Sequence, residues 1–288
     1  MSKQDATVAN AEQIESWNGT TGVKWVANQD RLDRMLAPFS RALLDTAKVK
    51  TGEHVLDIGC GCGATTLDLA RAAGTEGHVL GVDVSAPMVG RAQERAGAES
   101  SRAVFRIADA STYAFEPNAF DVLVSRFGVM FFDEPASAFA NLHAALRETG
   151  RLAFVCWRGL GENPWVTVPL RAALAHIAPP EPSAPEAPGP FAFADRDRVT
   201  SILQHAGFHH VALTPFDAPL LIGSAGPEAV EDGLQQSMEI GPVSRLIANE
   251  APDVRERVKD SIRNELAKYV TAKGLLLAGA VWIVTAEA

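Results

Sequence analysis

The middle of the chain alternates between short apolar runs and segments whose apolar residues recur at helical spacing. The apolar runs predict five strands, at 55–58, 79–82, 103–107, 120–125 and 152–157. The segments between them predict helices, of which those at 88–95 and 136–147 are opened by a polar residue and a proline. The pattern is weakest at 111–119, where a third helix is expected. Repeated strand–helix units of this length predict a doubly wound α/β sheet with parallel strands.

The flanks of this region follow different patterns. Residues 1–50 predict a helical cap with Trp17, Trp25 and Leu32 on apolar stripes, ahead of a core at 51–158. Residues 159–194 are rich in proline towards their end and predict a lid or linker. Residues 195–288 are expected to complete the sheet with strands at 208–222 and 274–286, around a helical insertion at about 226–271.

The overall charge and the cysteines narrow the classes of function. The chain has 26 Lys and Arg against 35 Asp and Glu, a net charge of −9, which disfavours a nucleic-acid partner. Three cysteines are too few for a disulfide framework and favour a reducing compartment. The polar opening lacks the pattern of a secretory signal, and the apolar run at 274–285 is shorter than a membrane span. We expect a cytoplasmic protein without a membrane span. The sequence allows a homo-oligomer but does not determine the oligomeric state.

A strand that runs into glycines and then a helix brings backbone N–H groups against a ligand. Here Asp57 stands near the end of the strand, and Gly59, Gly61 and Gly63 follow. A carboxylate repels a pyrophosphate at short range, whereas it accepts hydrogen bonds from an ammonium group. Asp83, 20 residues beyond Gly63, stands where a carboxylate can take hydrogen bonds from two ribose hydroxyls. The ligand predicted from these residues is a nucleoside that carries an amino acid.

Four motifs in register, VLDIGCGCG, VLGVDVSAPMVGRAQ, RIADAS and FDVLVSRFGVMFF, resemble those of the class I S-adenosylmethionine-dependent methyltransferases. The resemblance implies a Rossmann-like, seven-stranded, mostly parallel sheet with an antiparallel last strand, and S-adenosylmethionine as cofactor. It places Asp57 near the methionine ammonium and Asp83 on the ribose. The other residues that it implies around the cofactor are Gly59, Gly61 and Gly63 in the loop, Val84 and Met88 on adenine, Asp109 with Ala110 at the adenine amino edge, and Ser125 beside the sulfonium.

Several of these residues have simpler interpretations. Glycines at a strand–helix turn also serve packing, and Met88 can be ordinary core. Asp83 can be a helix cap, and Asp109 an ordinary loop residue. Cys60 and Cys62 offer two metal ligands where structural zinc needs four, so no metal site is predicted.

The candidates for acceptor chemistry are fewer. Arg126 follows the fourth strand at the ligand edge, where it can bind an anionic acceptor. The alternatives are that it pairs with Asp57, Asp133 or Glu134, or that it points to solvent. His176 lies in the lid segment and is a candidate base, and the alternative is a surface or packing residue. Trp17 and Trp25 are eight residues apart, so that one helix can present both; Trp25 is assigned to the cofactor cap, against ordinary helix docking.

We expect a small-molecule methyltransferase with an enclosed acceptor pocket. The motifs resemble quinone-type C-methyltransferases and small-molecule methyltransferases of secondary metabolism, and they depart from those of nucleic-acid amino-methyltransferases. Carbon, oxygen and nitrogen acceptors stay open. A non-catalytic cofactor-binding regulator or scaffold is the alternative, and a nicotinamide-dependent dehydrogenase is disfavoured by Asp57 and the loop spacing.

Overall fold

The computed structural model describes residues 10–180, 184 and 186–288. Within them the strands form one mixed sheet, and helices flank it. The strands are β1 His54–Ile58, β2 His78–Asp83, β3 Val104–Ile107, β4 Phe120–Arg126, β5 Leu146–Trp157, β6 His209–Gly223, β7 Val270–Thr271 and β8 Gly274–Glu287. Their spatial order is β3-β2-β1-β4-β5-β8-β6, and β7 pairs only with β8.

The helices flank this sheet, start with the N-terminal cap and include an insertion between β6 and β8. They are α1 Ala11–Asn18, α2 Thr20–Ala27, α3 Gln29–Ala47, α4 Ala64–Ala73, α5 Ala86–Ala98, α6 Pro135–Ala145, α7 Pro164–Leu174, α8 Arg196–His205, α9 Ala229–Glu239, α10 Pro242–Leu246 and α11 Pro252–Leu266. Short 3₁₀ turns lie at Val129–Phe131, Leu160–Glu162 and Ala267–Tyr269.

The predicted fold class is confirmed. Strands β1 to β5 pair in parallel, and the last strand, β8, runs antiparallel to both β5 and β6. The two-residue β7 was not predicted; it forms where the chain turns back into β8. Because β1 lies between β2 and β4, the connections leave it in opposite directions, and a ligand crevice is expected at the carboxyl ends of these strands.

Two local expectations are wrong. No helix forms at 111–119, where the connection from β3 to β4 is built of turns. Trp17 and Trp25 lie on two helices rather than one, because the chain breaks at Gly19 between α1 and α2. Their rings nevertheless meet, at 5.6 Å between centroids.

The flanking segments lie as follows. In the segment treated as a lid or linker, α7 is regular helix, and residues 181–183 and 185 lie outside the described residues. Residues 1–9 of the predicted cap lie outside them too. None of the described helices is long and apolar enough to cross a membrane.

Helix α3 joins the cap to the core through one apolar stripe. Phe39 has no exposed surface, and its ring packs edge-on against those of Phe127, Trp157 and Phe216. These aromatic partners follow β4, end β5 and lie in β6. The carboxyl ends of β4 and β5 are therefore held under α3 by aromatic packing.

We predict that Phe39→Ala lowers the free energy of unfolding by about 3–5 kcal/mol, because it leaves a cavity among three rings. Urea unfolding measures the change. Val23→Ala is the control, since Val23 is 58% exposed and should change stability by less than about 0.5 kcal/mol. Equal effects of the two substitutions would contradict the packing described here.

Candidate functional site

The loop between β1 and α4 requires glycine at three positions. Gly59, Gly61 and Gly63 have φ of 68°, 54° and 83°, a region that side chains disfavour. The loop is also tightly packed, since a Cβ on Gly59 would lie 2.6 Å from Gly128 Cα. A Cβ on Gly61 would lie 2.9 Å from the Met88 methyl carbon. The three predicted glycines thus form one turn against the start of α5 and the segment after β4.

Asp57 lies beneath this loop and is almost completely buried, with 1% of its surface exposed. The Thr66 hydroxyl donates a hydrogen bond to Oδ2 at 2.6 Å, while Oδ1 is buried without a partner among the described residues. Burial raises the pKa of Asp57 from 3.8 to about 7, helped by the charge of Asp83, while the Thr66 hydrogen bond and the charge of Arg126 lower it. An unpaired buried acceptor of this kind suits a cationic donor.

Asp83 ends β2 and ties the loop to the next helix. The Gly61 N–H donates to Oδ2 at 2.8 Å, and the Ser85 N–H donates to Oδ1 at 2.9 Å. Burial raises the pKa of Asp83, and these backbone hydrogen bonds lower it. Because β1 and β2 are parallel neighbours, Asp57 and Asp83 lie at the same edge of the sheet.

The residues predicted around adenine follow β2 and β3. Met88 is buried, with its methyl group facing Gly61. Ala110 is buried as well, and its carbonyl accepts from Asn141 Nδ2 at 3.0 Å. The Val84 carbonyl accepts from Asn18 Nδ2 at 2.8 Å, a contact from the cap. The structure therefore brings Met88 and Val84 to the glycine-loop edge under the cap.

Two residues of the cap that sequence reasoning missed contact this edge. Asn10 Nδ2 lies 2.9 Å from each carboxylate oxygen of Asp109. Asn18 bridges the Val84 carbonyl and the Ala86 N–H. A lone asparagine before or at the end of a short helix offers no signal beyond a helix boundary, so the sequence did not indicate these contacts.

Ser125 and the turn after it connect β4 to the glycine loop. The Ser125 hydroxyl donates to the Ile58 carbonyl at 2.7 Å and accepts from the Gly128 N–H at 3.1 Å. Phe127 adopts a φ of 65°, an uncommon conformation for a large side chain. Strain at such a position is typical of a functional site.

Arg126 points from the end of β4 towards α3. Its guanidinium donates to Ser40 Oγ at 2.8 Å and lies 3.6 Å from Asp33 Oδ1. Arg95 pairs with the same carboxylate at 3.1 Å, so that two arginines share Asp33. Of the partners predicted from sequence, Asp57 interacts with Arg126 through its charge alone, and Asp133 and Glu134 form no ion pair with it in the described part of the chain. Asp33 and Ser40 were missed because they lie far away in sequence.

A cavity of about 280 Å³ opens beside Arg126, between α3 and α4. Its charged lining carries four positive and two negative groups, which favours an anionic occupant. These residues are Arg41, Arg71, Arg95, Arg126, Asp33 and Asp68.

The remaining candidates lie in different surroundings. Trp25 packs against the core, and Trp17 touches both Trp25 and Phe131, at 5.6 and 5.3 Å between ring centroids. His176 lies in the turn after α7 and is exposed, and its imidazole makes no hydrogen bond with a described residue. In the described part of the chain, no group of three or more His, Cys, Asp or Glu side chains is arranged to hold a metal ion.

We predict that Asp57→Asn changes how stability depends on pH. The folded pKa of about 7 exceeds the unfolded value near 3.8, so the folded protein binds an extra proton between these values. That contribution to stability is complete below about pH 4 and is lost as pH rises through about 7. Relative to the parent protein, the variant should therefore gain more than about 1 kcal/mol between about pH 5 and pH 8.5.

Urea unfolding at both pH values tests this. Asp45→Asn, which removes an exposed carboxylate, controls for the loss of one charge. A stability difference between parent and Asp57→Asn that stays constant across this range would contradict the assigned burial effect.

Comparisons with known proteins agree with this geometry. A family model described as a methyltransferase domain matches residues 55–150. Aklanonic acid methyltransferase from a Streptomyces species is 35% identical over 127 residues, 43% of this chain and 58% of that protein, so the match spans less than two thirds of that relative. Nocamycin O-methyltransferase from Saccharothrix syringae is 30% identical over 238 residues, 76% of this chain and 82% of that protein.

A solved structure shows the same fold. It is phosphoethanolamine N-methyltransferase 2 from Haemonchus contortus in complex with S-adenosyl-L-methionine, with a TM-score of 0.59 at 17% identity, and the match covers 98% of this chain and 60% of that chain. The resemblance carried by the four sequence motifs is thus confirmed. Because the nocamycin relative aligns along most of both chains, this chain belongs to the S-adenosylmethionine-dependent methyltransferases.

Proposed function

We propose that this chain transfers the methyl group of S-adenosylmethionine to an oxygen atom of a small organic acid. The observation that carries the proposal is the glycine loop, which lies between two carboxylates at the carboxyl ends of neighbouring strands, Asp57 and Asp83. Such a pair suits an ammonium group on one side and a sugar diol on the other, as S-adenosylmethionine presents them.

The proposed roles follow the positions of the side chains. Asp57 Oδ1 accepts from the methionine ammonium, and the loop at Gly59, Gly61 and Gly63 gives close backbone approach. Each oxygen of Asp83 has a second lone pair beyond its backbone partner, which leaves capacity for the ribose hydroxyls. The proposal also assigns Val84 and Met88 to the adenine faces, Asp109 and Ala110 to its amino edge, Ser125 to the sulfonium side and Trp25 to the cap.

Bound S-adenosylmethionine supplies an electrophilic methyl group that passes to the acceptor oxygen while the sulfonium becomes a neutral thioether. The chain contributes position and exclusion of water rather than a covalent nucleophile. A carboxylate acceptor is already ionised at neutral pH, so it needs no general base. This agrees with the exposed, isolated setting of His176, and the proposal gives His176 no catalytic role.

Two observations favour an acid as the acceptor. The cavity beside Arg126 carries more positive than negative side chains. The relatives include an O-methyltransferase aligned over most of this chain and a methyltransferase named for aklanonic acid. In this proposal Arg126, which ends β4 at the ligand crevice, binds the anionic group of the acceptor.

We predict that Asp83→Asn weakens the binding of S-adenosylhomocysteine, the reaction product, by about 10- to 100-fold, because a neutral amide replaces the carboxylate that accepts from the ribose. Isothermal calorimetry measures the dissociation constant, and thermal unfolding confirms that the variant is folded. Asp253→Asn, an exposed substitution on α11, should leave binding unchanged. Preferential binding of NAD by the parent protein would overturn the cofactor assignment.

We predict that Arg126→Gln raises KM for an acidic acceptor about tenfold and leaves the dissociation constant of S-adenosylhomocysteine within about twofold. The acceptor is found by testing benzoic, salicylic and anthraquinone-2-carboxylic acids against their amides, with release of S-adenosylhomocysteine as the assay. Arg126→Lys should restore part of the affinity, and Arg102→Gln, at an exposed position, serves as the control.

The opposite pattern is equally informative. If Arg126→Gln weakens S-adenosylhomocysteine but not 5′-methylthioadenosine, which lacks the amino acid, the arginine binds the cofactor's own carboxylate and the acceptor role is wrong. Binding of the cofactor without turnover of any acid, amide, phenol or amine would favour the non-catalytic alternative.

A further inference from the structure

Asn10 joins the N-terminal cap to two loops at the carboxyl edge of the sheet. Its Nδ2 donates to both oxygens of Asp109 and to the Ser111 hydroxyl, each at 2.9 Å. Its Oδ1 accepts from the Asp133 N–H at 2.8 Å, and its own N–H donates to Asp133 Oδ2 at 2.7 Å. The residue is 4% exposed, so these hydrogen bonds are shielded from water.

Helix α1, which follows Asn10, is attached largely by polar contacts of the same kind, apart from the Trp17 ring, which packs against Trp25 and Phe131. Asn18 bridges the Val84 carbonyl and the Ala86 N–H at 2.8 and 2.9 Å, and the Ser85 hydroxyl donates to the Trp17 carbonyl at 2.7 Å. No residue within α1 is fully buried. Hydrogen bonds within the protein can be exchanged for those of a ligand at small net free energy. A ligand that replaces these hydrogen bonds can therefore detach α1 from the sheet edge.

The chemistry of the contact matches that of the expected ligand. The amide –NH₂ of Asn10 and the exocyclic amino group of adenine are both planar donors of two hydrogen atoms. Asp109 is the residue to which the proposed function assigns the adenine amino edge, and both of its oxygens face Asn10. The Asn10 amide holds a hydrogen-bonding position on each oxygen of the carboxylate to which that amino group is proposed to donate.

We propose that Asn10 is a latch that competes with adenine for the recognition carboxylate of Asp109, so that cofactor binding exchanges Asn10 for adenine and releases α1. The inference rests on the proposed function, since the role of Asp109 belongs to it. A latch of this kind reduces the apparent affinity by the fraction of molecules in which it is open. Removal of the latch side chain therefore tightens cofactor binding.

The test uses Asn10→Gly in the full chain. Asn10 adopts a φ of 55°, which glycine accepts without strain, so this substitution removes the side chain and keeps the backbone conformation available. Asn118→Gly is the matched control, because Asn118 has a φ of 56° and is exposed. Calorimetry should show S-adenosylhomocysteine bound about tenfold more tightly by Asn10→Gly than by the parent, with no change in Asn118→Gly.

A second measurement separates a latch from a lid that closes over the ligand. Amide hydrogen exchange in residues 10–18 of the parent protein should become faster when S-adenosylhomocysteine is added. Slower exchange there, or equal or weaker binding by Asn10→Gly, would overturn the latch while leaving the cofactor assignment intact. Absence of any binding by the parent would instead refute the proposed function.

Discussion

The site depends on the close approach of the backbones of Gly59 and Gly128, at the point where the chain connections leave β1 in opposite directions. A Cβ on Gly59 would lie 2.6 Å from Gly128 Cα, and a Cβ on Gly128 would lie 2.5 Å from the Ile58 carbonyl oxygen. Ser125 spans the same gap with a hydrogen bond to that carbonyl. Because β1 stands between β2 and β4, this contact sets how far the loop after β1 lies from the end of β4. Ligand groups held by the loop and by β4 must therefore meet within a narrow crevice.

The charges around this crevice are arranged in a chain. Asp57 is buried near Arg126, Arg126 lies beside Asp33, and Arg95 pairs with the other oxygen of Asp33. Two arginines on one carboxylate leave one positive charge, which an ionised Asp57 would balance. Burial opposes that ionisation and raises the pKa of Asp57 to about 7, so the protonated and ionised forms of Asp57 are similarly populated near neutral pH. A cation bound at Asp57 and an anion bound at Arg126 would each complete a pairing that the protein leaves unfinished.

The parts of the fold that sequence predicted are those set by local pattern. The strands β1, β2 and β4 follow from apolar runs, and the loop glycines follow from their position between a strand and a helix. The helix predicted at 111–119 does not form, because turns and hydrogen bonds from distant residues hold that segment instead. The contacts of Asn10 and Arg126 were not predicted, for a related reason. Asn10 and Asp109 are 99 positions apart, and Arg126 and Ser40 are 86 apart, so no local spacing encodes either pair.

The cap is attached in two ways, and the difference limits how it can move. Helix α3 carries Phe39 into an aromatic cluster formed by residues near the ends of β4 and β5, so its separation would expose apolar surface at a cost of several kcal/mol. Helix α1 makes mainly polar contacts, and Gly19 separates it from α2. Motion of the cap is therefore confined to the part before α3. Since the Trp17 ring also touches Phe131 after β4, release of α1 would uncover the adenine edge and the acceptor side of the crevice together. One element thus controls access to both halves of the site, while α3 keeps the reacting ends of the strands in place.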